Sequence, residues 1–286
     1  MSDETITFPA RDGRLLAGTL FRPSGAGNGI ALQINGATGV RRRFYASFAA
    51  YLAKRGFHVL TFDYRGIGDS ATGSLKAEKA RMLDWATLDA PGASDHLQAI
   101  WPGARAMAIG HSFGGQILGL ADSAKLWQRG LLIGAQHGYW RHWPRRRWPL
   151  LLLLWKAISP ASIATLGFFA GRLVGMANLP PRVGAEWTRW CLSPHYVSDE
   201  RGQPLRPYNH LLRVPLRFLS FADDGIAPRR AVEALLDYYP NAERQHIHLA
   251  PAEIGAEALG HFGFFRPDGP IAAWGAAADW LMAEGP

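Results

Sequence analysis

RAMAIGHSFGGQILGL, residues 105–120, decides the reading of this chain. RAMAIG has the apolar character of a buried strand, and a helix is predicted behind it over GQILGLADSA. Between them stands Gly110-His111-Ser112-Phe113-Gly114-Gly115. G-x-S-x-G joining a strand to a helix is a nucleophile elbow. The turn is so tight that side chains flanking the serine would meet neighbouring backbone, which is why Gly110 and Gly114 are needed. It lifts the Ser112 hydroxyl above the sheet, at a helix N-terminus whose dipole favours developing negative charge.

Working outward, strand and helix signals alternate, the pattern of an α/β fold with a mostly parallel sheet flanked by helices. TITFPA and RLLAGTLF predict a hairpin around Asp12-Gly13. GIALQIN, FHVLTFD, GLLIGA, PLRFLSF and RQHIHLA predict further strands. Helical spacing runs through 43–56, RRAVEALLDYY and IAAWGAAADWLM, and in part through 81–101, where Pro91-Gly92 predicts an interruption. After His137 the composition shifts to tryptophan, proline and a leucine run. This predicts a core domain over 1–137 and 206–286, with a helical insertion over 138–205.

The bulk composition narrows the class. A chain of 286 residues, 48% hydrophobic and 12% aromatic, can bury a full core. Its one cysteine, Cys191, cannot form a disulfide within the chain. The first residues are polar and lack an apolar signal core, so a reducing, cytoplasmic setting is expected. The net charge of +8 sits on no zinc-finger, basic-zipper or RNP pattern, so a nucleic-acid partner is not expected. Two arginine clusters stand out, Arg41 to Arg43 and Arg145 to Arg147.

A serine hydroxyl needs a base to take its proton, and the base needs an acid to orient it. In this fold both follow the nucleophile, acid first. FLSFADDGIAP offers Asp223 and Asp224 in a loop after a predicted strand, with Asp224 preferred. LGHFGFF offers His261 as general base after the last predicted strand. His246 and His248 alternate within a strand and read as structural; His137, His142 and His195 lie at or in the insertion. An oxyanion would be held by backbone N–H groups of Phe113 and, from the loop INGATGV, of Ala37, with Thr38 the alternative. The lone cysteine and scattered histidines lack metal-ligand spacing, and neither a metal nor a cofactor is expected.

INGATGV, FDYRGIGDS, GHSFGG, ADDGIAP and GHFGFF, in that order, resemble the α/β-hydrolase superfamily, most nearly its serine aminopeptidase S33-like branch, which also holds monoacylglycerol lipase-like enzymes. The resemblance spans essentially the whole chain. It implies an acid four residues before a proline, which Asp224 and Pro228 match, and a structural D-x-R-G-x-G-x-S turn at Asp63, Arg65, Gly66, Gly68 and Ser70. It also implies that the insertion is a cap. Asn35-Gly36 departs from the His-Gly that many relatives carry at the oxyanion loop. Ser112 stands where dehalogenases and epoxide hydrolases of the superfamily use aspartate.

The expected function is a carboxylesterase or lipase-like serine hydrolase acting on a small acyl substrate. An aminopeptidase or amidase and a thioesterase or acyltransferase are the alternatives, and a non-catalytic binding protein is the reading from another class. RRRWPLLLLLW, residues 145–155, fits a cap helix starting at Trp148-Pro149. Lys156 and Pro160 leave its uninterrupted apolar run too short to span a bilayer. Its leucines are expected to pack on the core and on the acyl group, with Trp140, Trp148, Leu152 and Trp155 contacting substrate. Peripheral membrane contact through Arg145 to Arg147 and Trp148 stays open.

Overall fold

The computed structural model describes residues 2–283. The opening hairpin pairs β1 (Ser2–Pro9) with β2 (Leu15–Arg22) through a turn in which Gly13 takes φ +83°. β3 (Ile30–Asn35), α1 (Ala46–Lys54) and β4 (His58–Phe62) follow. Next come α2 (Met82–Asp84), α3 (Ala90–Ile100), β5 (Arg105–His111) and α4 (Phe113–Gln116). β6 (Gly130–Ile133) leads into α5 (Trp148–Leu153), α6 (Ser159–Leu166) and α7 (Pro181–Leu192). β7 (Pro215–Phe221), α8 (Arg229–Leu236), β8 (Glu243–Leu249) and α9 (Ile271–Met282) end the described chain.

The sheet order is β1-β2-β4-β3-β5-β6-β7-β8. β2 is antiparallel to both neighbours, and every other pairing from β4 onward is parallel. Central parallel strands are covered on both faces, so β3 and β6 are buried throughout and read as continuous apolar runs. The pleat still sorts their side chains. Ala31, Leu60, Ala108 and Leu132 belong to one apolar cluster, with Trp85 and Leu97. Leu32, Ile34, Ile109 and Leu131 belong to the other, with Phe48, Leu52 and Trp274. This arrangement brings the loops after β3, β5, β6, β7 and β8 to one edge of the sheet, where open α/β folds bind ligands.

Two expected elements come out differently. Pro91-Gly92 does not interrupt its helix: a π turn over Trp85–Asp89, closed by Ala90 N–H to the Trp85 carbonyl, shifts the hydrogen-bond register just before Pro91. A wider turn accommodates both the missing N–H and the ring. The helix expected over GQILGLADSA stops at Gln116, and a 3-10 turn resumes at Asp122–Leu126. The chain at Gly119 packs so closely on Asn209 that a Cβ there would lie 2.4 Å from its side chain.

Between β6 and β7 the chain adds no strand to the sheet. Trp155, Phe169, Trp190 and Tyr196 of this segment share one apolar cluster with Tyr64 and Phe113 of the core, so the insertion is packed onto the sheet domain. The helix begins at Trp148 with Pro149 in its first turn, as expected, and continues past Lys156. A second π turn, Leu154–Ile158, precedes Pro160 as the first precedes Pro91. Helical structure therefore runs unbroken over Arg145–Leu166, the one helix among the described residues long and apolar enough to cross a membrane by length and composition.

Candidate active site

Ser112 sits at φ +52°, ψ −117°, a conformation that non-glycine residues adopt only at a cost of about 1–3 kcal/mol. Its surroundings hold it there. The Ser112 N–H donates to the Ile133 carbonyl, and three glycines let backbone segments meet. A Cβ on Gly110 would lie 2.4 Å from the Gly115 Cα, one on Gly114 2.0 Å from the Asn35 carbonyl oxygen, and one on Gly115 2.6 Å from the Ala135 Cβ. The elbow is thus wedged between the ends of β3 and β6.

The two aspartates divide between two tasks. Asp224 accepts Nδ1–H of His261 on Oδ2 at 2.8 Å and the N–H groups of Ile226 and Ala227 on Oδ1 at 2.8 and 2.9 Å. Asp223 instead accepts the N–H groups of Leu259 and Gly260 at 2.8 and 2.9 Å, which fixes the approach to His261. With its proton on Nδ1, His261 keeps a free lone pair on Nε2. The Ser112 hydroxyl is turned to Gln136, donating to Oε1 at 3.4 Å. Gln136 is held by Gln116, which donates to its carbonyl at 2.7 Å and to its Oε1 at 3.3 Å, and Gln116 accepts from Tyr196 at 2.8 Å. Sequence reasoning missed this Gln116–Gln136–Tyr196 network. Its one signal was a glutamine just behind the elbow, on a helix otherwise buried.

At the oxyanion loop the expected donor has a competing partner. The Ala37 N–H is bonded to the Tyr45 hydroxyl at 2.7 Å, so it is already taken. The bond belongs to a buried chain whose direction is determined. His111 Nε2 meets the carbonyl of His261 at 2.9 Å, and a carbonyl only accepts, so Nε2 carries the proton. His111 Nδ1 then accepts from the Tyr45 hydroxyl at 3.0 Å, which leaves the Tyr45 oxygen to accept from Ala37. Among the described residues, the N–H groups of Thr38 and Phe113 have no hydrogen-bond partner. Asn35, at the departure from His-Gly, accepts from Gln33 at 2.8 Å and is tied back into its own strand.

Burial holds the His111 ring well below its ordinary value of 6.5 and lowers His137 to about 3. Both rings are neutral in the folded chain. As pH falls below 6.5 the unfolded chain takes up protons that the folded one refuses, so stability present above 6.5 is lost, by about 1.4 kcal/mol per pH unit for each such ring. Asp89, which burial lifts to about 6, works in the opposite direction as pH falls. The melting temperature is expected to drop between pH 6.5 and 5, and His137→Phe to make the drop shallower. An unchanged slope in the variant would refute the assignment.

The residues expected to contact substrate are engaged within the insertion. Trp155 is buried inside the insertion, 6.4 Å from the Phe169 ring and 4.9 Å from the Trp187 ring, because it holds the insertion's helices together. Trp148 bonds the Trp143 carbonyl at 2.9 Å and lines an outer cleft with Arg145 and Arg229. Trp140 packs edge-on against Trp148 at 5.1 Å, and Leu152 is half-buried on the same helix. Arg42 is buried on Asp63 and Asp69, which leaves Arg41 and Arg43 as the exposed members of that cluster. The D-x-R-G-x-G-x-S turn is structural, as expected. Asp63 accepts the Arg42 N–H, Arg65 meets Asp89 and Asp12, and Ser70 donates to the Asp63 carbonyl at 2.7 Å.

An elbow serine and a histidine–carboxylate pair, both on loops at the carboxyl edge of an eight-stranded sheet of this order, define a class that the sequence comparison also reaches. The chain belongs to the alpha/beta hydrolase family, whose model matches residues 34–274, and it is a hydrolase. No curated protein sequence matches it. Among solved structures, DcsB in complex with its substrate analogue has a TM-score of 0.63 at 15% identity, over 98% of this chain and 99% of that one. The esterase domain of a Rhodothermus marinus protein has a TM-score of 0.62 at 18% identity, over 99% and 98%. A Pyrococcus furiosus esterase has a TM-score of 0.60 at 15% identity, over 98% and 90%. Likeness at these identities is a likeness of fold.

Proposed function

We propose that the protein is a serine carboxylesterase of lipase-like type, acting on hydrophobic acyl esters through Ser112, His261 and Asp224. The observation that carries this reading is the buried 2.8 Å bond between His261 and Asp224, at the sheet edge where the strained Ser112 stands. Ser112 Oγ turns from Gln136 to the free Nε2 of His261 and gives up its proton as it attacks the acyl carbonyl. The N–H groups of Phe113 and Thr38 hold the resulting oxyanion, Thr38 replacing Ala37 because its N–H is unspent. His261, now charged and stabilised by Asp224, protonates the leaving alkoxide. Water then enters by the reverse path, releases the acid and restores the serine. Ser112 and His261 are each 7% exposed, so the acyl group enters beneath the insertion, which acts as a cap.

An ester is preferred over a peptide for a specific reason. No aspartate or glutamate lies between 138 and 185 to receive a free amino terminus, and Glu186 is buried against Arg81 and Arg189. Within the S33-like branch that the motifs resemble, this favours the monoacylglycerol lipase-like side. Parallel assays with p-nitrophenyl esters of increasing chain length, an acyl thioester and aminoacyl arylamides test it. Esters are expected to exceed arylamides in kcat/KM by at least about tenfold, the worth of one binding interaction of ordinary strength. Faster arylamide cleavage would overturn the ester reading.

A further inference from the structure

The helix over Arg145–Leu166 has two unlike faces. Leu151, Leu154 and Ile163 pack against the core, and Trp155, Ser159 and Ser162 are buried. On the outward side Leu150 is 64% exposed and Leu153, one turn on, 52%; Leu166 at the helix end is 42% exposed and Leu173 beyond it 73%. Two large aliphatic side chains left in water on one turn are the apolar part of an interaction surface. Because one side of the helix is committed to the protein, it cannot cross a bilayer with the fold intact, but it can lie on one.

The charge around this face specifies the partner. Residues 138–185 hold seven lysines and arginines and no acidic residue. At the start of the helix a cleft of about 460 Å³ is lined by Arg141, Arg145, Trp148, Arg229 and Arg230. Arg145 lies over the Trp148 ring at 5.7 Å. Arginines for phosphate, an indole at the boundary and leucines beyond it are the ordered parts of a membrane-interface contact. We propose that this face docks the protein on the surface of an anionic lipid bilayer, with Leu150 and Leu153 in the outer acyl layer and the arginine cleft on lipid phosphates. The docking face also touches the acid loop: Arg147 and Trp143 both donate to the Gly225 carbonyl, at 2.6 and 3.1 Å, one residue after Asp224. Docking goes beyond the esterase reading and does not depend on it.

Co-sedimentation with phosphatidylcholine vesicles, with and without an equal part of phosphatidylglycerol, tests the proposal. The protein is expected to bind the anionic vesicles in roughly 50 mM salt, and to be released in roughly 500 mM salt as the phosphates are screened. Each arginine at such a surface strengthens binding about fivefold, so Arg145→Glu with Arg146→Glu should weaken it by well over tenfold. Leu150→Glu with Leu153→Glu should abolish it. Both double variants should keep the wild-type melting temperature and the wild-type rate on a soluble short-chain ester. Wild-type protein remaining in the supernatant with anionic vesicles would overturn the proposal, as would leucine variants that bind normally. Leucine variants that turn a dimer into a monomer without altering vesicle binding would also overturn it, and assign the face to a second copy of the chain. Wild-type protein that docks but hydrolyses no ester would sink the esterase reading alone.

Discussion

Ser112→Ala is expected to lower ester turnover by at least about a thousandfold and to abolish labelling by a fluorophosphonate probe, with the melting curve unchanged. Alanine keeps the Cβ and loses only the hydroxyl that the Ile133-anchored elbow presents. Ser112→Gly should be equally inactive but more stable. At φ +52° a serine is strained and a glycine is not, so the fold should gain about 1 kcal/mol, part of the 1–3 kcal/mol that such a conformation costs. Opposite effects of one substitution on activity and stability would identify Ser112 as the place where the fold stores strain for chemistry. Undiminished labelling of either variant would remove Ser112 from the nucleophile's position.

Asp224→Asn should cost about ten thousandfold in kcat with little change in KM. The argument is one of donors and acceptors. The side chain at 224 must accept the N–H groups of Ile226 and Ala227, so an asparagine keeps its oxygen there and turns its NH₂ toward His261. Two donors cannot face each other, and His261 must move its proton to Nε2, where it can no longer accept one from Ser112. Asp223→Asn retains an acceptor for the Leu259 and Gly260 N–H groups and should cost less than about tenfold, the range of one net hydrogen bond. A larger kcat loss at 223 than at 224 would exchange the two roles.

Adjacent aspartates of identical chemistry show how far the chain could be read before its structure. Sequence pattern placed an acid in this loop, and family resemblance favoured Asp224. That Asp223 would secure the backbone before His261 was not legible, because its partners lie on a loop distant in sequence. The competition at the oxyanion loop was not legible for a similar reason. Ala37 has the right position after its strand, but Tyr45 competes for its N–H, and nothing local to INGATGV announces Tyr45 as the nearer acceptor. Pro91-Gly92 was expected to interrupt its helix and does not, because a π turn precedes it, as one also precedes Pro160. Proline rules assume an α register, and a register shift upstream removes the conflict they anticipate.

Local chemistry was therefore determined by sequence alone: the alternation of strands and helices, the glycines that only a close-packed elbow needs, and the order of serine, acid and histidine. These depend on residues within one turn or on fold-wide periodicity. Tertiary structure alone decided how equivalent groups were divided. Five consecutive leucines are indistinguishable in sequence, yet Leu151 and Leu154 face the core while Leu150 and Leu153 face outward. Trp155, an expected substrate contact, is consumed in holding the insertion together. A side chain's tendency to be buried is its own, but what buries it is whatever the rest of the chain brings alongside.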